Sequence, residues 1–192
     1  MIIVIVGIAG SGKTTQSKLL AKKIGVPAIS MGEVLRNARD AKTVLGIEAT
    51  KYLEEGKLVP AKLMKALTRF RLAEDDCKDG FILDGAPRRV EEAVMLDDYL
   101  SGRSDRIDYV FSIEITKDEA IKRLLKRYEK PKDKGGKRSD DNIEDIKTRI
   151  FEYYDNIDAV KVYYRKKDIL EIVDGSGEIE DIHRGICNIL QL

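Results

Sequence analysis

Tryptophan is absent from the 192 residues, histidine occurs once (His183), and cysteine twice (Cys77 and Cys187). Thiols this few have neither metal-ligand spacing nor a disulfide framework, which excludes a zinc domain and a stapled secreted scaffold and suits a reducing cytoplasm. No apolar run approaches the ~20 residues needed to span a bilayer. The opening stretch MIIVIVG is too short and too uncharged for a signal peptide and reads as a strand. Excess charge is also missing: Lys+Arg number 35 and Asp+Glu 34. That balance excludes a bulk polybasic nucleic-acid binder and an acidic disordered tail. Asn and Gln together number only six beside abundant Lys and Glu, a composition found in heat-adapted proteins. The expected setting is cytoplasmic, without nucleic-acid or membrane partners. A monomer is the default and a homo-oligomer stays open, because no surface stripe marks an interface.

What the chain does have is 43% hydrophobic residues in 21.7 kDa, enough to build one core. Short β-branched runs alternate with amphipathic segments. Strands are predicted at residues 2–6, 26–30, 81–83, 107–115 and 169–173. Helices are predicted at 13–24, 89–100, 118–128, 140–165 and 179–190. The stretch 32–73 reads as helical, with breaks at Asp40–Lys42, Gly56 and Pro60, and 129–139 reads as a charged loop. This alternation predicts an α/β fold: a parallel sheet covered by helices on both faces.

Gly7-Ile8-Ala9-Gly10-Ser11-Gly12-Lys13-Thr14 fits G-x-x-x-x-G-K-S/T, between a strand and a helix. Glycines let successive N–H groups curl around one anion, and the helix start adds its dipole. Lys13 brings a charge to the outer phosphates and Thr14 a hydroxyl for Mg²⁺. Asp84 closes the apolar strand Phe81-Ile82-Leu83, where a carboxylate can stand beside such a loop and share the metal. Arg88 follows at the rim where open α/β sheets bind ligands. Arg123 and Arg127, four apart, share a helix face. Between Lys117 and Arg138 ten Lys/Arg face four Asp/Glu, a local basic concentration that suggests a polyphosphate ligand.

Taken together, these motifs resemble the adenylate kinases of the nucleoside monophosphate kinase family almost from end to end. GIAGSGKTTQ resembles the family's phosphate loop, and ISMGEVLR (29–36) its monophosphate segment. EEGKLVP (54–60) resembles the stretch lining the acceptor base, DGAPR (84–88) the family's DGFPR, and KRLLKR (122–127) and RSDDN (138–142) the segments flanking a lid. VDGSGEI (173–179) resembles the loop whose backbone touches the ATP adenine. The resemblance implies a P-loop NTPase fold with a five-stranded parallel sheet flanked by helices. It implies a core of residues 1–30, 61–127 and 139–192, a helical NMP-binding insert at 31–60 and a short lid at 128–138. ATP would be held by Gly10, Ser11, Gly12, Lys13, Thr14, Thr15, Arg123, Arg127 and Gly177. AMP would be held by Ser30, Met31, Arg36, Lys57, Val59, Gly85, Arg88, Glu92, Arg138 and Arg149. Lys13, Arg88, Arg123, Arg138 and Arg149 would act on the phosphoryl group in flight, with Arg123 bordering the ATP base and Asp140 and Asp141 positioning the arginines. Thr14 and Asp84 would hold Mg²⁺, Asp84 through water. The cysteine-free lid implies no zinc.

The expected reaction is ATP + AMP ⇌ 2 ADP in nucleotide biosynthesis. The acceptor is already an anion, so no general base is needed, and His183 reads as a surface residue. Three positions depart from the family pattern, all toward the acceptor base: Met31 replaces a hydroxyl residue, Ala86 an aromatic, and Glu92 a glutamine. An ionised Glu92 offers adenine only acceptors, which predicts relaxed acceptor choice, with GMP or CMP turned over beside AMP. The opposing expectation is that Glu92 points to solvent or is protonated. A GMP- or CMP-accepting kinase and a P-loop regulator that transfers no phosphate are the competing readings.

Overall fold

The computed structural model describes residues 1–54, 57–129 and 143–192. Among them five strands form one all-parallel sheet: β1 (Ile2–Gly7), β2 (Ala28–Ser30), β3 (Phe81–Asp84), β4 (Tyr109–Glu114) and β5 (Leu170–Asp174), in the order β2-β3-β1-β4-β5. The helices are α1 (Lys13–Ile24), α2 (Met31–Asp40), α3 (Val44–Glu54), α4 (Ala61–Leu72), α5 (Val90–Ser101), α6 (Lys117–Glu129), α7 (Ile143–Arg165) and α8 (Ile179–Leu190). The expected fold class holds.

β1 is central and buried on both faces, which is why it reads as an unbroken apolar run instead of an alternation. Its residues divide by parity. Ile2, Val4 and Val6 pack with Phe81, Leu83 and Val110 against α4, α5 and α7, where Leu67, Leu96 and Tyr164 are buried. Ile3 and Ile5 pack with Ile82 and Phe111 against Leu20 of α1 and Ile186 of α8. A third cluster joins Ile8 of the glycine-rich loop to Leu124 of α6 and Ile150 of α7. From β1 the chain turns through α1 to β2 on one flank, and from β3 it crosses to β4 on the other. That reversal opens a crevice at the carboxyl ends of the central strands. Ladder register fixes what faces it, since Asp84 pairs with Ile5 on one side and with Ser30 on the other.

Some boundaries differ from the periodicity. β2 begins at Ala28, not Val26, because Gly25 (φ 83°) caps α1 and Pro27 has no N–H for a ladder. β4 begins at Tyr109, because Asp108 turns its carboxylate onto the Ile2 N–H at 2.7 Å and its own N–H onto the Ile2 carbonyl at 2.9 Å. The breaks at Asp40–Lys42 and at Pro60 separate α2, α3 and α4, with Lys42 in the left-handed region at φ 52°. The expected break at Gly56, the loop 130–139 and the helix start at Asp140 lie outside the described residues. A single 3-10 turn at Asp75–Cys77 has no apolar signature. Arg71 holds it by bonding both Asp76 oxygens, at 2.9 and 2.8 Å. No described helix is long and apolar enough to cross a membrane.

Both cysteines are free thiols inside the core. Burial, reinforced by the Asp76 carboxylate, pushes the Cys77 thiol up to about 11. Neither thiol is therefore expected to react with a charged aromatic disulfide reagent in the native protein, and labelling should follow the unfolding transition. Stoichiometric reaction of the folded chain within seconds would contradict this packing.

Candidate active site

The loop between β1 and α1 is shaped by its backbone. A Cβ on Gly7 would stand 2.6 Å from the Ser11 hydroxyl and 2.7 Å from the Ile113 carbonyl, so no side chain fits there. Gly12 caps α1 at φ 89°, a left-handed conformation that a side chain would strain. Ser11 is fully buried, and its N–H closes the turn onto the Ile8 carbonyl at 3.0 Å. Lys13 opens α1 and reaches back across the loop, with Nζ 3.2 Å from the Ile8 carbonyl.

Thr14, one residue further, donates its hydroxyl to Asp84 Oδ2 at 2.5 Å. Asp84 is 1% exposed, and its second oxygen Oδ1 is buried without a hydrogen-bond partner. A carboxylate left this way is costly unless a cation completes it. A hydroxyl and a single carboxylate suit a hard ion that draws its other ligands from phosphate and water, as Mg²⁺ does. Among the described residues no group of three His, Cys, Asp or Glu side chains could hold a metal by itself.

One cleft of about 590 Å³ brings most of the expected residues together. Gly10, Gly12, Lys13, Thr14 and Thr15 line its phosphate-loop end. Ser30, Met31, Arg36, Lys57 and Val59 also line it, as do Gly85, Arg88 and Glu92. Arg123 and Arg127 reach it from α6, and Arg149 from α7. Ser11 and Gly177 do not line the cleft, and Arg138, Asp140 and Asp141 lie outside the described residues.

Several side chains are placed in ways the sequence reading did not foresee. Arg123 ties α6 to the loop after β5, bonding Glu119 Oε1 at 2.7 Å, the Gly175 carbonyl at 3.0 Å and the Ser176 carbonyl at 3.4 Å. The same guanidinium holds the Glu119 carboxyl below the usual carboxylate range. Glu92 does not point to solvent. It is 8% exposed, and Oε2 accepts the Arg88 N–H at 2.8 Å. Glu92 lies in the first turn of α5, so it serves an N–H at the helix start in the manner of a capping box. Burial pushes its carboxyl upward, against the pull of Arg88 and Arg89. Met31 is 1% exposed, and its sulfur accepts the Thr68 hydroxyl of α4 at 3.8 Å. His183 is half-buried instead of a surface residue. Its Nε2 lies 3.6 Å from the Cys187 sulfur, and burial, then Lys23, lowers its pKa.

Sequence reasoning missed Thr68, and also Arg89, which bonds the Val59 carbonyl at 3.1 Å. It missed Tyr153, which lines the cleft from α7. The Arg88-Arg89 doublet was a usable signal for the second of these. Thr68 and Tyr153 had none, because helical spacing alone does not show which turn faces a ligand.

Comparison with known proteins points to one family. Residues 5–169 match the family model described as adenylate kinase. An adenylate kinase of Thermodesulfovibrio yellowstonii is 38% identical over 213 residues, covering 100% of this chain and 99% of that protein. One from a Mycobacterium species is 41% identical over 182 residues, covering 95% and 94%. One from Archaeoglobus fulgidus is 36% identical over 213 residues, covering 100% and 98%.

Proposed function

We infer the chemistry of the cleft from the premise that the chain belongs to the adenylate kinase family: it is an enzyme that moves a phosphoryl group reversibly between ATP and AMP, giving two ADP. A kinase preferring GMP or CMP is not favoured, since the relatives bear the adenylate kinase name. The observation that carries the reading within this chain is that cations from separate elements share one cleft, Lys13 on the phosphate loop, Arg36 on α2 and Arg88 after β3, enough for two phosphate groups. A regulator that only binds and releases one nucleotide has no use for the second.

Residue roles follow from that arrangement. The loop N–H groups and Lys13 hold the ATP phosphates, while Thr15 and Arg127 border them. Arg36 and Arg88 clamp the AMP phosphate, and Arg149 bridges toward the transferred group from α7. Phosphoryl transfer needs alignment and neutralisation of moving charge, so these cations supply the catalysis without a general base. Thr14, and Asp84 through water, would hold Mg²⁺, and the ion would supply further charge neutralisation at the phosphates. Arg123 acts on the donor side by holding Gly175 and Ser176, next to Gly177, so that the loop backbone forms a wall for the ATP base. Residues 31–60 serve as the acceptor-binding insert and 128–138 as the lid, with Arg138 joining the phosphates on closure. The protein works in the cytoplasm, as a monomer by default.

The test is ADP formation from ATP with Mg²⁺, measured with and without AMP. Rapid ADP production that needs AMP, with two ADP formed for each AMP consumed, is expected. AMP-independent hydrolysis at the same rate would sink the reading.

A further inference from the structure

Among the described residues, Glu92 is the carboxylate of the acceptor half of the cleft. Asp84 stands under Thr14 at the phosphate loop, and Glu152 belongs to α7. The wall beside Glu92 is apolar, formed by Met31, Leu35, Val59 and Met64. Arg36 and Arg88 line the same cleft, so a purine nucleotide held there by its phosphate shares that space with Glu92. Glu92 also borders a second, smaller pocket of about 30 Å³, lined by Ala86, Met64, Met95 and Tyr99. At 8% exposure the Glu92 side chain is largely withdrawn from solvent, which disfavours a charged carboxylate. One of the two oxygens is already committed to the Arg88 N–H.

We propose that Glu92 reads the acceptor purine as a neutral carboxylic acid, its second oxygen donating O–H to adenine N1 while Oε2, still holding the Arg88 N–H, also faces the 6-amino group. This deepens the proposed function and rests on its assignment of the acceptor site. In the neutral form the group offers the donor and acceptor that an amide would offer. In the ionised form it offers only acceptors, and adenine N1 then meets a lone pair with no proton between them. AMP binding is thereby tied to one proton on Glu92.

The charges around this carboxyl come from every side. Arg88 and Arg89 of the preceding loop favour ionisation, and Glu91 of α5 opposes it. Tyr164 of α7 feels the same carboxylate. Lys65 and Arg69 of α4 and Tyr99 of α5 border the small cavity, and Arg36 and Lys57 stand across the cleft. Burial is the largest influence on Glu92 and favours the neutral form. The sign follows: AMP affinity is full while Glu92 is protonated in the free enzyme and falls as pH rises through its pKa. The fall ends at the higher pKa of the AMP complex.

The experiment compares kcat/KM for AMP in the wild type and in Glu92→Gln, at saturating ATP, from about pH 5 to about pH 9. Glutamine keeps an acceptor for the Arg88 N–H and carries a fixed N–H donor. Titration of the AMP phosphate and of the other site groups is common to both enzymes and cancels in their ratio. The two values should agree within about twofold at low pH, and the wild type should then fall behind by up to about tenfold per pH unit. A second reading uses the wild type alone, so it stands even where the Gln variant folds poorly. GMP, whose N1–H suits an ionised carboxylate, should inhibit competitively against AMP more strongly as pH rises. Parallel AMP profiles in the two enzymes, or GMP inhibition that weakens in step with AMP affinity, would overturn the proposal while leaving the kinase assignment intact. Absence of AMP-dependent ADP formation in both enzymes would overturn the assignment itself and the proposal with it.

Discussion

Lys13→Ala is expected to lower turnover by about 10²–10³-fold, the usual cost of removing one group that stabilises charge developing in a transition state. The fold should be unaffected. The curl of the loop is set by the space at Gly7, by the left-handed Gly12 and by the Ser11 N–H on the Ile8 carbonyl. Lys13 bonds that same Ile8 carbonyl at 3.2 Å, a link the alanine variant gives up to Ser11 and solvent. ADP formation and a thermal melt measured on one preparation separate the two effects. Near-normal turnover, or a melting temperature that collapses along with activity, would show that the lysine does something other than carry charge to the phosphates.

Arg88→Ala should weaken AMP far more than ATP. Arg88 leaves β3 just past Asp84, and its Nε is anchored to the Gly85 carbonyl at 2.9 Å, which aims the guanidinium fork into the cleft. A charge-assisted contact of this kind is worth about 1.5–3 kcal/mol, or roughly a tenfold to 150-fold loss of AMP affinity. Turnover should also drop, because the same cation faces the group in transit. The ATP site relies on the loop backbone and should change less than about threefold. Initial-rate kinetics with each nucleotide varied in turn decide the matter. Equal losses for ATP and AMP would mean that Arg88 does not define a separate acceptor site.

How far these features were legible before the structure depends on the scale at which each is determined. The phosphate loop was, because its demands are local: small residues where backbone must approach backbone, and a lysine and a threonine at the helix start. The strands of the sheet were legible because parallel strands buried on both faces need continuous apolar runs, as Ile2–Val6 and Phe81–Leu83 do. α8 matched its predicted residues, since its apolar stripe is uninterrupted from Ile182 to Leu190. The beginning of β2 was not, since Val26 has the right chemistry and is displaced by what Gly25 and Pro27 do to the backbone. Glu92 was recognised as unusual from its residue type. Its capping bond to Arg88 depends on where α5 starts, and its burial on α4 and α7, and neither is visible from position 92. Thr68 lies 37 residues from the sulfur it meets, a separation that no local pattern reports.

The strand ladders have a consequence for how the site survives heat. Asp84 is paired with Ile5 and with Ser30 in the interior of the sheet, and Thr14 hangs from the helix that follows β1. The phosphate end of the cleft therefore comes apart only when the sheet itself does, and its lifetime is that of the whole molecule. The acceptor wall is built differently, on α2 and on residues 57–59 beyond the sheet's edge, near a helix, α3, that leaves Val44 and Ile47 largely exposed. Warming should loosen that wall first, so that grip on AMP fades while grip on ATP persists. An enzyme divided in this way ages from one end.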